Sequence, residues 1–310
     1  MNPVSARKYY RSLAPLLPPE ALCRRPSWRE IFGREAPLEL EIGFGNGERL
    51  HRSTLAAPDR DFVGIEISWP SVKRALRRLG APPRANARLI CMPAAPALRH
   101  CFPEESLAGA VALFPVPWPK ERHANKRLFS RGFLDLLASR LSEGARFLMV
   151  TDDPTLASWT LAQSAGSALP LSLTEKEAGA DTKYGRKWEG LGARSFFHLE
   201  GSRAFRPSLP PPGRADMQPT FLPSLDPENY SPQGISGETS VVFRGLLFDT
   251  ERQEGLLNTK VVDGSFVQEF FIRLRPEGDG RWRLYPAFPH LLFPTEGVRA
   301  ALRLAAGDDF

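Results

Sequence analysis

Two short stretches of this 310-residue chain set out residue types at spacings that can do chemistry. The first is Leu40-Glu41-Ile42-Gly43-Phe44-Gly45-Asn46-Gly47. It joins an apolar run, LELEI, to a helical pattern, GERLHRSTLA. Its glycines therefore let backbone come close to a ligand while the helix start points amides at it. Roughly twenty residues further on, Glu66 closes the next apolar run, FVGIE, where a carboxylate can accept hydrogen bonds from both hydroxyls of a ribose. A dinucleotide fingerprint spaces its last two glycines as GxxG. Here they fall as GxG, which turns the reading away from NAD(P).

The second stretch follows the apolar run GAVALF and reads Pro115-Val116-Pro117-Trp118-Pro119-Lys120-Glu121-Arg122-His123-Ala124-Asn125-Lys126-Arg127. A rigid proline and aromatic turn runs there into a cationic cluster, an arrangement suited to phosphate binding and base stacking. Trp118 either stacks on a nucleobase or caps the sheet. His123 either touches phosphate or is an ordinary surface histidine. Arg74, Arg77 and Arg78 in SVKRALRRL share one side of a helix, either a face that contacts nucleic acid or, the reading preferred here, a solvated one.

The elements that must position these groups are legible as a rhythm. From Leu38 to about Leu199, short apolar runs alternate with helical patterns. They predict an α/β fold, a Rossmann-like doubly wound, mostly parallel sheet, with function seated just after each strand. Between Arg203 and Ser231 the chain is proline-dense, which favours extended backbone. We place a first domain over 1–205, a linker over 206–230 and a small β-rich α+β accessory domain over 231–310. The last opens with ETSVVFRGLLFDT and closes on the helical GVRAALRLAA.

The net charge of +6 is uneven. Residues 1–214 carry 32 Lys and Arg against 21 Asp and Glu, and residues 215–310 carry 9 against 14. A basic front part suits a polyanionic partner, and the acidic tail domain does not. Cys23, Cys91 and Cys101 lack CxxC spacing, so they read as buried thiols, with no metal site. No run approaches the length of a membrane span and no leader pattern precedes the first domain, so a cytoplasmic protein without membrane contact is expected.

The loop PVPWPKERHANKR resembles the FPDPWPKxRHxKRR signature of the bacterial tRNA (guanine-N7) methyltransferases, the TrmB family. WREIFGREAPLELEIGFGNG, Val150-Thr151-Asp152 and Thr182-Lys183-Tyr184 extend the similarity across roughly residues 28–200. The resemblance implies an S-adenosylmethionine-dependent methyltransferase fold, S-adenosylmethionine as cofactor, tRNA as partner and N7 of a variable-region guanine as acceptor. It also implies that Glu41 and Glu66, with Gly43, Gly45 and Gly47, hold the cofactor. Lys120, Arg122, Asp152 and Thr182 are then turned to the substrate, with Asp152 at the catalytic position. Three of the family's carboxylate positions are occupied here by Pro93, Val116 and Gly185. That leaves two other readings open: a non-catalytic tRNA-binding relative, or a methyltransferase of this fold with another acceptor.

Overall fold

The computed structural model describes residues 12–18, 21–22, 27–80, 84–177, 195–209, 215–264 and 266–308. Thr182 and Gly185, and with them Cys23, lie outside the described residues. The chain divides into two compact units, Met1–Pro18 with Pro26–Leu209 and Pro19–Arg25 with Pro210–Phe310.

The first unit is built on a seven-stranded sheet: β1 Leu38–Ile42, β2 Asp61–Glu66, β3 Ala87–Cys91, β4 Leu107–Leu113, β5 Leu141–Thr151, β6 Ser172–Glu177 and β7 Ser195–Ser202. Their order across the sheet is β3-β2-β1-β4-β5-β7-β6. The first five run parallel, and β7 pairs antiparallel with both β5 and β6. β2 (DFVGIE) is apolar between its terminal acids and buried along nearly its whole length, because it is packed on both faces. From β1 the chain steps outward to β2 and β3, then crosses back to β4 on the other side of β1. The strand order therefore reverses between β1 and β4, the switch point beyond whose carboxyl ends doubly wound sheets bind ligands.

The helices are placed by their caps and stripes. In α1, Trp28–Phe32, Ser27 and Glu30 form a capping box and Gly33 closes the helix in the left-handed region. After β1 comes α2, Glu48–Ala56, and after β2 comes α3, Trp69–Leu79. Val72, Ala75, Leu76 and Leu79 form the buried stripe of α3, and they share one core cluster with Phe44, Leu50 and Leu89. Arg74, Arg77 and Arg78 all lie on its exposed side. Helices α4 (Ala94–Cys101), α5 (Arg131–Arg140) and α6 (Pro154–Ser164) follow β3, β4 and β5.

The second unit is a five-stranded antiparallel sheet in the order β8-β12-β11-β10-β9, made of β8 Thr220–Leu222, β9 Thr239–Asp249, β10 Glu254–Asp263, β11 Phe266–Pro276 and β12 Trp282–Pro286. The proline-dense stretch thus supplies a strand, β8. One face of this sheet packs on α7, Glu296–Ala305, where Ala301, Leu302 and Ala305 meet Val241, Leu257, Ile272, Leu274 and Leu284.

One expectation needs correction. Cys101 is buried, but Cys91 is exposed. It is the last residue of β3, at the carboxyl edge of the sheet.

Candidate active site

The loop after β1 is built by backbone. Gly43, Gly45 and Gly47 have φ of +73°, +55° and +72°, the left-handed region that suits glycine. At Gly47 a second requirement applies, since a Cβ there would lie 2.6 Å from that of Ala75 on α3. Phe44, buried beneath the loop, fills the space over Gly64, where a Cβ would meet its ring at 2.5 Å. The amide of Gly43 donates to the carbonyl of Ile65 at 2.8 Å, tying the turn to β2.

Glu66, at the end of β2, is the hub of this loop. Its Oε2 accepts from the amide of Gly45 at 3.0 Å, and its Oε1 accepts from the amides of Ile67 and Ser68, each at 2.9 Å. Three amides fix the carboxylate in one orientation and leave about one of its four lone-pair sites, on Oε2, for a hydroxyl donor. Cys91 is its register partner on β3. Exposed at the surface but partly desolvated by its neighbours, the Cys91 thiol is held above its usual range by that desolvation and then by the Glu66 charge.

Glu41 is placed differently. It lies within β1 at 4% exposure, and Nη1 of Arg49 on α2 sits 3.4 Å from its Oε2. Burial pushes its carboxyl up to about 7, against the opposing pull of the Arg49 charge. Sequence reasoning missed Arg49. Its signal was weak, a lone arginine facing back toward a strand acid.

The loop after β4 is built by side chains. Two non-glycine residues hold positive φ, Phe114 at +51° and Trp118 at +45°. Both are held in place: the Phe114 amide donates to the carbonyl of Val150 at 2.7 Å, and Nε of Arg127 donates to the carbonyl of Trp118 at 3.3 Å. The Trp118 ring meets His123 edge-on at 5.8 Å and carries Nζ of Lys126 at 4.9 Å from its centroid. The two rings are each other's neighbours, a contact that the sequence did not show. Lys120, Arg122 and Lys126 are exposed around the turn, and Val116 is 65% exposed.

Arg127 is the residue whose part the sequence concealed. It reads as one more member of the cationic cluster, yet it is buried, with its guanidinium 5.3 Å from the Trp159 ring of α6. Its Nη2 lies 3.5 Å from Oε2 of exposed Glu121, an ion pair without hydrogen-bond geometry. Asp152 is exposed just beyond β5, and the next residue, Asp153, caps α6 through the amide of Leu156.

The predicted residues therefore gather at the carboxyl ends of adjacent strands. Gly43, Gly45, Gly47 and Glu66 lie at the ends of β1 and β2, and Lys120, Arg122 and Asp152 lie beyond β4 and β5. Among the described residues no group of three or more His, Cys, Asp or Glu side chains could hold a metal ion, and no helix is long and apolar enough to cross a membrane.

A family described as putative methyltransferases matches residues 35–197. The chain is 31% identical over 283 residues to a tRNA (guanine-N(7)-)-methyltransferase of Thermus thermophilus, covering 90% of each. A protein of the same name from Chlorobium phaeobacteroides is 35% identical over 188 residues, which is 58% of this chain and 92% of that one. Among solved structures, a 16S rRNA methyltransferase aligns at a TM-score of 0.46 and 15% identity over 57% of this chain and 92% of its own.

Proposed function

We propose a reaction for this chain from the family to which it belongs, the tRNA (guanine-N(7)-)-methyltransferases: transfer of the methyl group of S-adenosylmethionine to N7 of a variable-region guanine in tRNA. The observation that carries the reading is the position of the cationic Pro-Trp-Pro-Lys loop at the end of β4, next to the glycine loop at the end of β1. Family membership favours a catalyst over a protein that only binds tRNA. A tRNA substrate puts the work in the cytoplasm.

The residues present fit the cofactor. A carboxylate preset by three amides and a turn of left-handed glycines suit a ribose and a closely approaching ligand. Oε2 of Glu66 takes a ribose hydroxyl, the glycine loop lies along the ligand, and Glu41, buried in β1 and paired with Arg49, underlies the start of that loop. The cofactor brings an already activated methyl group.

Guanine N7 is an unprotonated lone-pair nucleophile at neutral pH, so the protein has no proton to remove. Its task is placement, and effective molarity supplies about 7–11 kcal/mol for well-oriented partners. Lys120 and Arg122 hold phosphate, Asp152 faces the guanosine and steadies the purine as it becomes cationic, and Thr182 completes the nucleoside contacts. Val116 cannot share that electrostatic duty, which leaves Asp152 as its main bearer on this side.

The test is incubation of the purified protein with labelled S-adenosylmethionine and unmodified tRNA, with the product mapped by mass spectrometry. N7-methylguanine in the variable region is expected. Binding of tRNA without methyl incorporation overturns the assignment. Val116→Asp should raise kcat several-fold by restoring a carboxylate near the developing charge, and an unchanged rate removes that site from the electrostatics.

A further inference from the structure

The second unit carries negative net charge, but its sheet sorts that charge by face. Register places Phe221 on β8, Arg283 on β12 and Arg275 on β11 side by side in one row. The next row pairs Tyr285 with Arg273 and continues to Leu256 on β10. Both rows lie on the face opposite the cluster packed against α7. Side chains of Arg275, Arg281 and Arg283 are 46%, 53% and 47% exposed.

Three features of this face point to a ligand. First, Arg275 and Arg283 are direct cross-strand partners, so two guanidiniums stand side by side at the surface, each held there by a carboxylate, Glu254 and Glu277. Second, the guanidiniums are already set against rings: Arg281 over Phe221 at 4.7 Å and Arg283 over Tyr285 at 5.4 Å. Third, a shallow cleft of about 480 Å³ opens beside them, lined in part by Phe221, Arg281 and Arg283.

The carboxylates nearby are Glu254, which pairs with Arg273 and Arg275, Glu277 with Arg283, and Asp279 with Arg281. These are partly exposed pairs that contribute little, so a phosphate can replace the carboxylate partner at small cost.

We propose that this face of the second sheet is an RNA-binding surface, on which Phe221 and Tyr285 stack unpaired bases of the tRNA substrate while Arg273, Arg275, Arg281 and Arg283 take its phosphates. An antiparallel sheet with a helix behind it and aromatic and arginine side chains in front is a recurrent way to hold single-stranded RNA. The proposal rests on tRNA being the substrate. It reverses the expectation, drawn from net charge, that the acidic tail domain does not meet a polyanion.

The experiment uses the full chain and measures binding of unmodified tRNA by fluorescence anisotropy across a salt series, alongside methylation and S-adenosylmethionine titration. Arg275→Gln with Arg283→Gln should raise the Kd for tRNA about ten-fold and lower the slope of log K against log salt by about 1 to 2. Affinity for S-adenosylmethionine should stay at the wild-type value. Glu277→Gln with Asp279→Asn should tighten tRNA binding several-fold, a gain that a misfolded protein cannot give. Wild-type Kd and salt slope in the arginine double variant overturn the proposal, including when the protein methylates tRNA normally. A wild-type protein that binds tRNA through these arginines and transfers no methyl overturns the reaction assigned above and supports the surface.

Discussion

The loops after β1 and β4 leave adjacent strands at the same edge of one sheet, yet they are made by opposite means. The first is a backbone device: glycines at positive φ, with amides converging on Glu66. The second is a side-chain device. Prolines restrict it, two non-glycine residues are forced to positive φ, and buried Arg127 pins it through the Trp118 carbonyl. The difference teaches where each is vulnerable. The glycine loop fails when a side chain is added, the proline loop when one is removed.

The largest effect is expected at Gly47. Gly47→Ala drives a Cβ into that of Ala75, an overpacking cost of about 1–3 kcal/mol. A left-handed alanine adds roughly 1 kcal/mol. The Tm should fall clearly, and S-adenosylmethionine affinity, by isothermal titration, should drop about 10–100-fold as the loop shifts. Retention of both would show that the loop tolerates side chains and would break the comparison.

Next comes Arg127→Leu, which removes a charged donor from the Trp118 carbonyl, a loss of about 1.5–3 kcal/mol. The KM for tRNA should rise about ten-fold while S-adenosylmethionine affinity stays unchanged. Weakened cofactor binding in this variant would mean the two loops are not independent.

The smallest effect is a pH dependence at Glu41. Its folded carboxyl titrates near 7 because of burial, above the ordinary carboxylate value of 4.5. The folded state therefore holds this proton more tightly. The stability it contributes is complete below about 4.5 and is lost as pH rises through about 7. Chemical denaturation at pH 5 and pH 8 should show a smaller loss in Glu41→Gln than in the wild type. Equal losses would place the Glu41 carboxyl in the ordinary range.

Much of this was legible in the chain because it is local. Glycine spacing reports backbone conformation, and apolar runs report strands, so the sheet and the placing of Glu66 at a strand end could be read directly. Arg127 could not. Lys126 and Arg127 are neighbours with the same charge in one cationic run, but one lies over the Trp118 ring and the other is buried against Trp159, 32 positions further along the chain. Nothing local separates them. Cys91 was read as buried from its residue type, while its position at the sheet edge determines its exposure.

By itself, then, the sequence determined the alternation of strands and helices, the glycine turn and the cationic loop, because each depends on residues close together in the chain. Only the tertiary structure decided that three amides would preset Glu66, that Arg49 would face Glu41, and that Arg275 would stand opposite Arg283 on an acidic unit. The physical reason is the same throughout. Sheet register and helix packing bring together groups whose separation in sequence carries no sign of their meeting.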